Sequence, residues 1–244
     1  MRTLAIIPAR YASTRFPGKP LALIEGKPMI EWVWKGVASV EAINEAVVAT
    51  DDERIFQSVK AFGGQAMMTS SNHKSGTDRC GEVLSRWGKE VDVVVNVQGD
   101  EPRVEHSQLE SLIGSFSNPQ VEIATLKKRI ASVEELLSPN VVKVVTDAQG
   151  HALYFSRHAI PYQRGVEPEE WLNGQAYYKH VGIYAFRSEV LQRVVRMPQS
   201  PLEKSESLEQ LRWMENGLRI AVRETEVENI GIDTPEDLLR LTSK

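Results

Sequence analysis

The sequence predicts an α/β fold in which helices cover both faces of a mostly parallel sheet. Strand-like and helix-like segments alternate through the first half of the 244 residues. That alternation is typical of the crossover units that join parallel strands. The valine-rich run at 91–97 has almost no polar interruption, as expected of a strand that is buried on both faces of a parallel sheet.

The first half contains four predicted strands and three predicted helices. Pro28 lies near the first turn of the first helix, and Asp51 or Asp52 caps the second, both of which are common start signals. We predict the strands at 4–9, 45–50, 65–69 and 91–97, and the helices at 28–37, from 52 to about 62, and at 76–87.

The second half departs from strict alternation and has longer connections. We predict strands at 122–128, 141–147, 151–156, 178–187 and 219–227. The segment 163–175 is typical of a loop outside the core. An amphipathic helix is predicted over 202–217, ending at Gly217, and a terminal helix begins at Pro235 with Asp233 or Thr234 as its cap.

Composition excludes several classes of protein. The formal net charge of -4 argues against a general nucleic-acid or membrane-surface binder. A single cysteine, Cys80, cannot form a disulfide within the chain or a cysteine zinc site, and we expect it to be an inert helical residue. Cysteine usage and the lack of a long apolar segment in the sequence favour a cytoplasmic protein.

A basic loop follows the first predicted strand. It carries Arg10, Arg15 and Lys19, and its prolines and Gly18 exclude a regular helix. A glycine, backbone amides and converging cations can surround the oxygens of a polyphosphate. The alternative is a solvated basic turn. The patterns GxxxxGK[ST] and GxGxxG are absent from the sequence, which disfavours a P-loop kinase or a dehydrogenase.

Two carboxylates follow apolar strands and could hold a cation. Asp100 comes directly after the valine-rich strand, and Asp233 follows a short apolar run. Carboxylates beside phosphates are natural Mg²⁺ ligands, although Asp100 could belong to a plain polar turn and Asp233 could simply cap a helix. Ligands of such sheets bind beyond the carboxyl ends of the strands, so we expect the loops at 10–19, 50–52 and 98–101 to lie together.

A set of longer motifs resembles one enzyme family. The chain from about residue 4 to 240 resembles the 3-deoxy-manno-octulosonate cytidylyltransferases, also called CMP-Kdo synthetases, through the motifs IIPARYASTRFPGKPL, ATDDERI, SGTDRC, NVQGDEP, KHVGIYAFR, LEQLR and GIDTPEDL. The resemblance implies a Rossmann-like nucleotidyltransferase domain over 1–244, of the nucleotide-diphospho-sugar transferase type. A smaller mixed-sheet portion at roughly 125–200 would serve dimerisation and sugar binding.

The resemblance also implies an activity. The family converts CTP and 3-deoxy-manno-octulosonate (Kdo) into CMP-Kdo and diphosphate with Mg²⁺, for lipopolysaccharide synthesis, and works as a homodimer in the cytoplasm. A related sugar acid, such as 8-amino-Kdo or a sialic acid, remains an alternative substrate. A catalytically silent nucleotide-binding module remains an alternative of another class.

Site roles carry over by position. By the resemblance, Arg10, Arg15 and Lys19 hold the triphosphate, and Asp100 and Asp233 hold Mg²⁺. The cytosine lies near Ser75, Thr77 and Arg79. The positions expected to contact the sugar acid are Gln98, Arg157, His180, Tyr184, Glu209 and Gln210.

Four of these positions have structural alternatives. His180 could be a histidine with its hydrogen bonds satisfied inside a strand, and Tyr184 could pack in the core or a dimer interface. Glu209 could be an exposed helix acid, and Arg157 could form a structural ion pair.

Overall fold

A computed structural model describes residues 1–12, 16–228, 231–232 and 234–242. The strands are β1 Thr3–Ala9, β2 Leu23–Ile24, β3 Lys27–Pro28, β4 Glu45–Thr50, β5 Ala66–Met68, β6 Val93–Asn96, β7 Ile123–Arg129, β8 Lys143–Thr146, β9 Ala152–Ser156, β10 Tyr178–Arg187 and β11 Ile220–Glu224. The helices are α1 Met29–Ala38, α2 Glu53–Ala61, α3 Gly76–Arg86, α4 His106–Gly114, α5 Val133–Leu137, α6 Trp171–Gly174, α7 Ser188–Val194, α8 Pro201–Glu206, α9 Glu209–Glu215 and α10 Pro235–Thr242.

One nine-stranded sheet organises the fold, and its first half confirms the predicted class. Strands β5, β4, β1 and β6 are parallel and adjacent in that order. β10 joins antiparallel between β6 and β7, β11 extends β7 in parallel, and β8 and β9 branch from β10. Because β1 lies between β4 and β6, the chain leaves β1 where the strand order reverses, which is where ligands of such sheets bind.

Helices bury an apolar core on each face of this sheet. On one face α1 and α4 contribute residues such as Ile30 and Leu112. On the other face α3, α7 and α9 contribute residues such as Val83, Leu191 and Leu211. Cys80 belongs to that second core, and burial raises the pKa of its thiol, as expected of an inert cysteine.

The prediction of one helix over 202–217 is wrong. Ser207 adopts a left-handed conformation, with φ of 52°, and this closes α8 before α9 begins. Ser200 starts α8 with a capping box. The break places Glu209 in the first turn of a separate helix, α9. From this position its carboxylate reaches the start of α3, as described below.

The prediction that 163–175 lies outside the core is also wrong. The segment contains a 3₁₀ turn and helix α6, and the Trp171 indole is buried. That indole stacks on Tyr177 with ring centroids 6.0 Å apart and donates from Nε1 to the Val166 carbonyl. Trp171 therefore attaches the segment to a small apolar cluster beside the sheet, and Val166 and Leu172 pack against the same cluster.

Among the described residues, no helix has the length and apolar character needed to cross a bilayer.

Candidate functional site

The carboxyl ends of β1 and β6 meet at very close range. A Cβ atom added to Gly99 would lie 2.7 Å from the Pro8 carbonyl oxygen, closer than real Cβ contacts. A Cβ at Gly76, which starts α3, would lie 3.3 Å from the Pro8 ring. The loop after β1 and the loop after β6 therefore lie together at one edge, as predicted, and the start of α3 joins them there.

The basic loop and the acidic loop are joined by an ion pair. Gly18, with φ of +72°, lets the chain turn back so that its amide donates to the Tyr11 carbonyl at 2.9 Å. Lys19 follows, and its Nζ donates to Asp100 Oδ2 at 2.7 Å. The Lys19 side chain is 13% exposed and that of Asp100 is 32% exposed, so both groups remain within reach of a ligand.

Two of the predicted phosphate and metal residues, Arg15 and Asp233, lie outside the described residues. Arg10 is described and is exposed directly after β1. The Ile232 amide donates to the Asp100 carbonyl at 2.9 Å. The chain therefore reaches the Asp100 backbone one residue before position 233.

Asp100 has the chemistry that Mg²⁺ prefers. Its carboxylate supplies hard oxygen donors at a partly exposed strand end, which fits a magnesium ion held with substrate phosphates. No group of three or more His, Cys, Asp and Glu side chains gathers as a metal site among the described residues.

Glu209 joins two blocks that the sequence assigned to different substrates. Its Oε1 accepts from Ser75 Oγ at 3.0 Å, and its Oε2 accepts from Thr77 Oγ1 at 2.7 Å. Arg212 donates to Oε1 at 2.6 Å. Burial raises the pKa of Glu209, while the bond from Thr77 and the charge of Arg212 oppose that rise.

The alternative of an exposed helix acid is therefore wrong for Glu209, and its neighbour Gln210 is also buried. The start of α3 and the start of α9 are held together by one carboxylate.

Arg79 supports the start of α3 from inside the protein. Its side chain is 1% exposed, and its guanidinium donates to Thr69 Oγ1 and, at 3.2 Å, to Asp51 Oδ2. The charge is therefore paired internally. A contact of Arg79 with the base stays a prediction.

Gln98, His180 and Tyr184 surround an irregularity in β10. The register with β7 shifts between Val181 and Tyr184, and Gln98 Nε2 donates to the Gly182 carbonyl there at 3.0 Å. His180 Nε2 lies 2.9 Å from Thr125 Oγ1, which agrees with the alternative of a satisfied histidine. Burial lowers the pKa of His180 to about 3, so the ring is neutral.

The Tyr184 hydroxyl is buried without a partner at hydrogen-bonding geometry in the described part of the chain, although Thr125 lies nearby. Burial raises its pKa well above the ordinary value. Tyr184 packs edge-on against Trp213 at 5.0 Å between ring centroids, so its ring belongs to the core whatever its hydroxyl contacts.

Arg157 forms no ion pair among the described residues through its guanidinium. The guanidinium donates to the carbonyls of Glu206, Pro139 and Ser207 at 2.7, 3.1 and 3.4 Å. The alternative of a structural ion pair is therefore not what the described residues show, because the partners of the guanidinium are backbone oxygens. A carboxylate contact stays a prediction, and it would compete with these bonds.

Sequence reasoning missed the residues that hold the site residues in place. Arg212, which fixes Glu209, stands inside the quoted LEQLR motif, and Asp51, which pairs with Arg79, stands inside ATDDERI. The motifs contained this signal, but local patterns do not reveal partners that lie far apart in sequence.

Comparison with known proteins places the whole chain among one group of enzymes. A sequence profile described as cytidylyltransferase matches residues 4–220. A 3-deoxy-manno-octulosonate cytidylyltransferase of Phocaeicola vulgatus is 56% identical over 98% of this chain and 96% of its own. The protein of that name from Geobacter sulfurreducens is 51% identical over 100% of this chain and 99% of its own.

Solved structures agree. The structure of CMP:2-keto-3-deoxy-manno-octonic acid synthetase complexed with CTP has a TM-score of 0.92 and 44% identity, over 100% of this chain and 98% of that one. A cytidylyltransferase from Leptospira borgpetersenii has a TM-score of 0.62 and 16% identity, over 100% of this chain and 86% of that one, which shows the fold alone.

Proposed function

Because the chain belongs to the 3-deoxy-manno-octulosonate cytidylyltransferase family, we propose that it transfers CMP from CTP to the anomeric hydroxyl of Kdo. The anomeric oxygen forms a bond to the α-phosphorus, the bond from that phosphorus to the bridging oxygen breaks, and diphosphate leaves. The hydroxyl proton is lost to solvent. The observation that carries the proposal is the Lys19–Asp100 pair, which joins the two family motifs at the sheet edge.

We propose that the basic loop binds the triphosphate. Lys19, Arg10 and Arg15 would neutralise charge that moves from the α-phosphate toward the departing diphosphate. The exposure of Arg10 and the partial exposure of Lys19 support this role, since both can reach a polyanion from the loop.

We propose that Asp100 and Asp233 bind Mg²⁺. When bound, the ion supplies Lewis-acid polarisation of the α-phosphoryl group and neutralises its charge. Asp100 would hold the ion with its carboxylate, and Lys19, which bonds Asp100 in this structure, would be released to bind the phosphates. The bond from Ile232 to the Asp100 backbone supports the pairing, because position 233 is the next residue.

The remaining site residues are proposed to bind the two organic groups. Ser75, Thr77 and Arg79 lie at the start of α3 and would face the cytidine. The sugar acid would contact Gln98, Arg157, His180, Tyr184, Glu209 and Gln210. Glu209 bonds Ser75 and Thr77, which supports adjacent cytidine and sugar sites that share one wall.

We further propose a cytoplasmic homodimer that uses the portion at 125–200 and supplies CMP-Kdo for lipopolysaccharide synthesis. Three large apolar side chains of that portion are exposed, namely Leu137, Leu153 and Tyr162, and a dimer contact through this portion would bury apolar surface of this kind. The molar mass from light scattering tests the dimer, and a monomer at micromolar concentration would refute it.

A diphosphate-release assay tests the activity. Purified protein with CTP, Mg²⁺ and freshly prepared Kdo should release diphosphate in step with CMP-Kdo, and omission of any one component should abolish release. Parallel reactions with 8-amino-Kdo and a sialic acid identify the preferred acceptor. Binding of CTP by calorimetry without diphosphate release from any acceptor would instead support a silent nucleotide-binding module.

A further inference from the structure

Between β11 and α10 the structure describes residues 225–228 and 231–232, which we call the strap. The Thr225 amide donates to the Lys127 carbonyl at 2.9 Å, and the Ile232 amide donates to the Asp100 carbonyl at 2.9 Å. The strap is therefore attached to β7 at one end and to the Asp100 loop at the other.

Glu228 attaches the middle of the strap to the sheet. Its Oε2 lies 2.8 Å from Lys128 Nζ, and its Oε1 accepts from Lys179 Nζ at 2.5 Å. The two lysine side chains are mostly buried, and the Glu228 side chain is 52% exposed. The two ammonium groups lower the pKa of Glu228, so it is ionised at neutral pH.

The two lysines belong to an unfavourable arrangement. Lys128 stands directly opposite Lys179 across β7 and β10, and Lys143 of β8 stands opposite Lys179 on the other side. Like charges at directly opposed positions destabilise a sheet. Lys143 donates to three backbone carbonyls, and Lys179 also bonds Glu135, so Glu228 supplies the carboxylate that Lys128 and Lys179 share.

Lys128 and Lys179 border an open cleft. The cleft has a volume of about 350 Å³ and is lined by Glu101, Lys128, Lys179, Gly182 and Glu228 among others. Glu101 is the residue after Asp100, and the Gly182 carbonyl bonds Gln98. Glu228, Lys128 and Lys179 thus form one wall of this cleft. The cleft lies beside Asp100, proposed to bind the metal, and Gln98, proposed to bind the sugar.

We infer that Glu228, held by Lys128 and Lys179, is a positioning residue that keeps Ile232 on the backbone of Asp100. It acts on the Asp100 end of the site through the strap and does not itself touch the reacting atoms. The role of this positioning in Mg²⁺ binding rests on the proposed function. The attachment of Ile232 to Asp100 does not, because it can be measured without substrates.

The first experiment uses the protein without substrates or metal. In the Glu228→Gln variant, amide exchange at Ile232, followed by NMR on isoleucine-labelled protein, should accelerate about three- to fivefold, the scale of one partly exposed ion pair. Lys128→Met leaves the contact between Lys179 and Glu228 in place, so it should accelerate exchange less than Glu228→Gln. The double variant should exchange no faster than Glu228→Gln alone, because that change already removes the contact with Lys128.

Glu45→Gln is the matched control. It breaks an ion pair of comparable length, 2.7 Å from Lys89, at the opposite edge of the sheet. Exchange at Ile232 should equal that of the wild-type protein.

The second experiment titrates Mg²⁺ during diphosphate release. The Glu228→Gln variant should need about three- to fivefold more Mg²⁺ for half-maximal rate, while the rate at saturating Mg²⁺ and the KM for the sugar acid stay at wild-type values. Unchanged exchange at Ile232, or faster exchange with an unchanged Mg²⁺ requirement, would overturn the inference. Absence of diphosphate release by the wild-type protein would instead refute the proposed function.

Discussion

The two halves of the candidate site are built in opposite ways. On the side assigned to cytidine and sugar, the groups bond to other parts of the protein: the buried Arg79 bonds Thr69 and Asp51, and the half-buried Glu209 bonds the start of α3. On the side assigned to the triphosphate, Arg10 is exposed, and the partly exposed Lys19 and Asp100 are paired to each other. Groups that select a shape are preassembled, whereas groups that neutralise charge keep their contact with solvent until the ligand arrives.

Asp100→Asn should produce the largest effect, and that effect should be confined to activity. We expect turnover to fall by about 100-fold or more, because the proposed Mg²⁺ site would lose a carboxylate ligand and with it several kcal/mol of charge stabilisation. The free energy of unfolding should change by less than about 1 kcal/mol, since the Lys19–Asp100 pair is partly exposed. Diphosphate release and thermal melts measure the two quantities; equal losses in both would make Asp100 a structural residue and remove the contrast between the halves.

Arg79→Met should produce the largest loss of stability. Removing a buried partner of Asp51 should lower the free energy of unfolding by about 3 kcal/mol, as measured by urea denaturation. Arg86→Met alters the exposed end of the same helix, where Arg86 pairs with Glu82, and should cost less than about 1 kcal/mol. If both variants are equally stable, the internal pairing of Arg79 does not stabilise the start of α3.

Glu209→Gln should have an intermediate effect that reaches both substrates. We expect the KM for CTP and the KM for the sugar acid each to rise about tenfold, because the Ser75 and Thr77 hydroxyls lose a charged acceptor worth about 1.5 kcal/mol or more. Steady-state kinetics with each substrate varied in turn measures both constants. Glu215→Gln, at the exposed end of α9, is the control. A rise confined to the sugar acid would mean that Glu209 serves that substrate alone.

His180 should make the smallest contribution, and only in acid. Its pKa of about 3 in the folded protein lies below the ordinary 6.5, so the unfolded chain binds the proton more readily. Its stabilising effect is complete above about pH 6.5 and is lost as pH falls toward 3. Between pH 7 and 5 the wild-type protein should lose about 1–2 kcal/mol relative to His180→Gln. Denaturation curves at both pH values test this, and parallel losses would show that His180 does not titrate below its ordinary range.

The sequence was most informative where one local pattern decides the structure. The valine-rich run and the segment 45–50 form buried parallel strands, and 178–187 is a strand with the predicted limits. Asp52 caps α2 through a bond from the Arg54 amide. Each of these outcomes depends on a few neighbouring residues, which a single sequence displays.

Predictions failed where contacts between residues far apart in the sequence decide the structure. The periodic pattern over 202–217 continues past Ser207, but the chain breaks there so that Leu208 and Leu211 reach the sheet and Glu209 reaches α3. α4, α5 and α7 were not predicted. The resemblance named Arg79 and Arg157 as site positions, yet their partners in space, Asp51 and the Pro139 carbonyl, cannot be read from spacing.

Gly99 sets a limit on how this enzyme could be redesigned. Since even a methyl group there would collide with the Pro8 carbonyl, any substitution would force the strand ends carrying Arg10 and Asp100 apart. A mutant library intended to change the accepted sugar should therefore leave position 99 constant and vary the residues of β10 that line the open cleft, from Lys179 to Gly182.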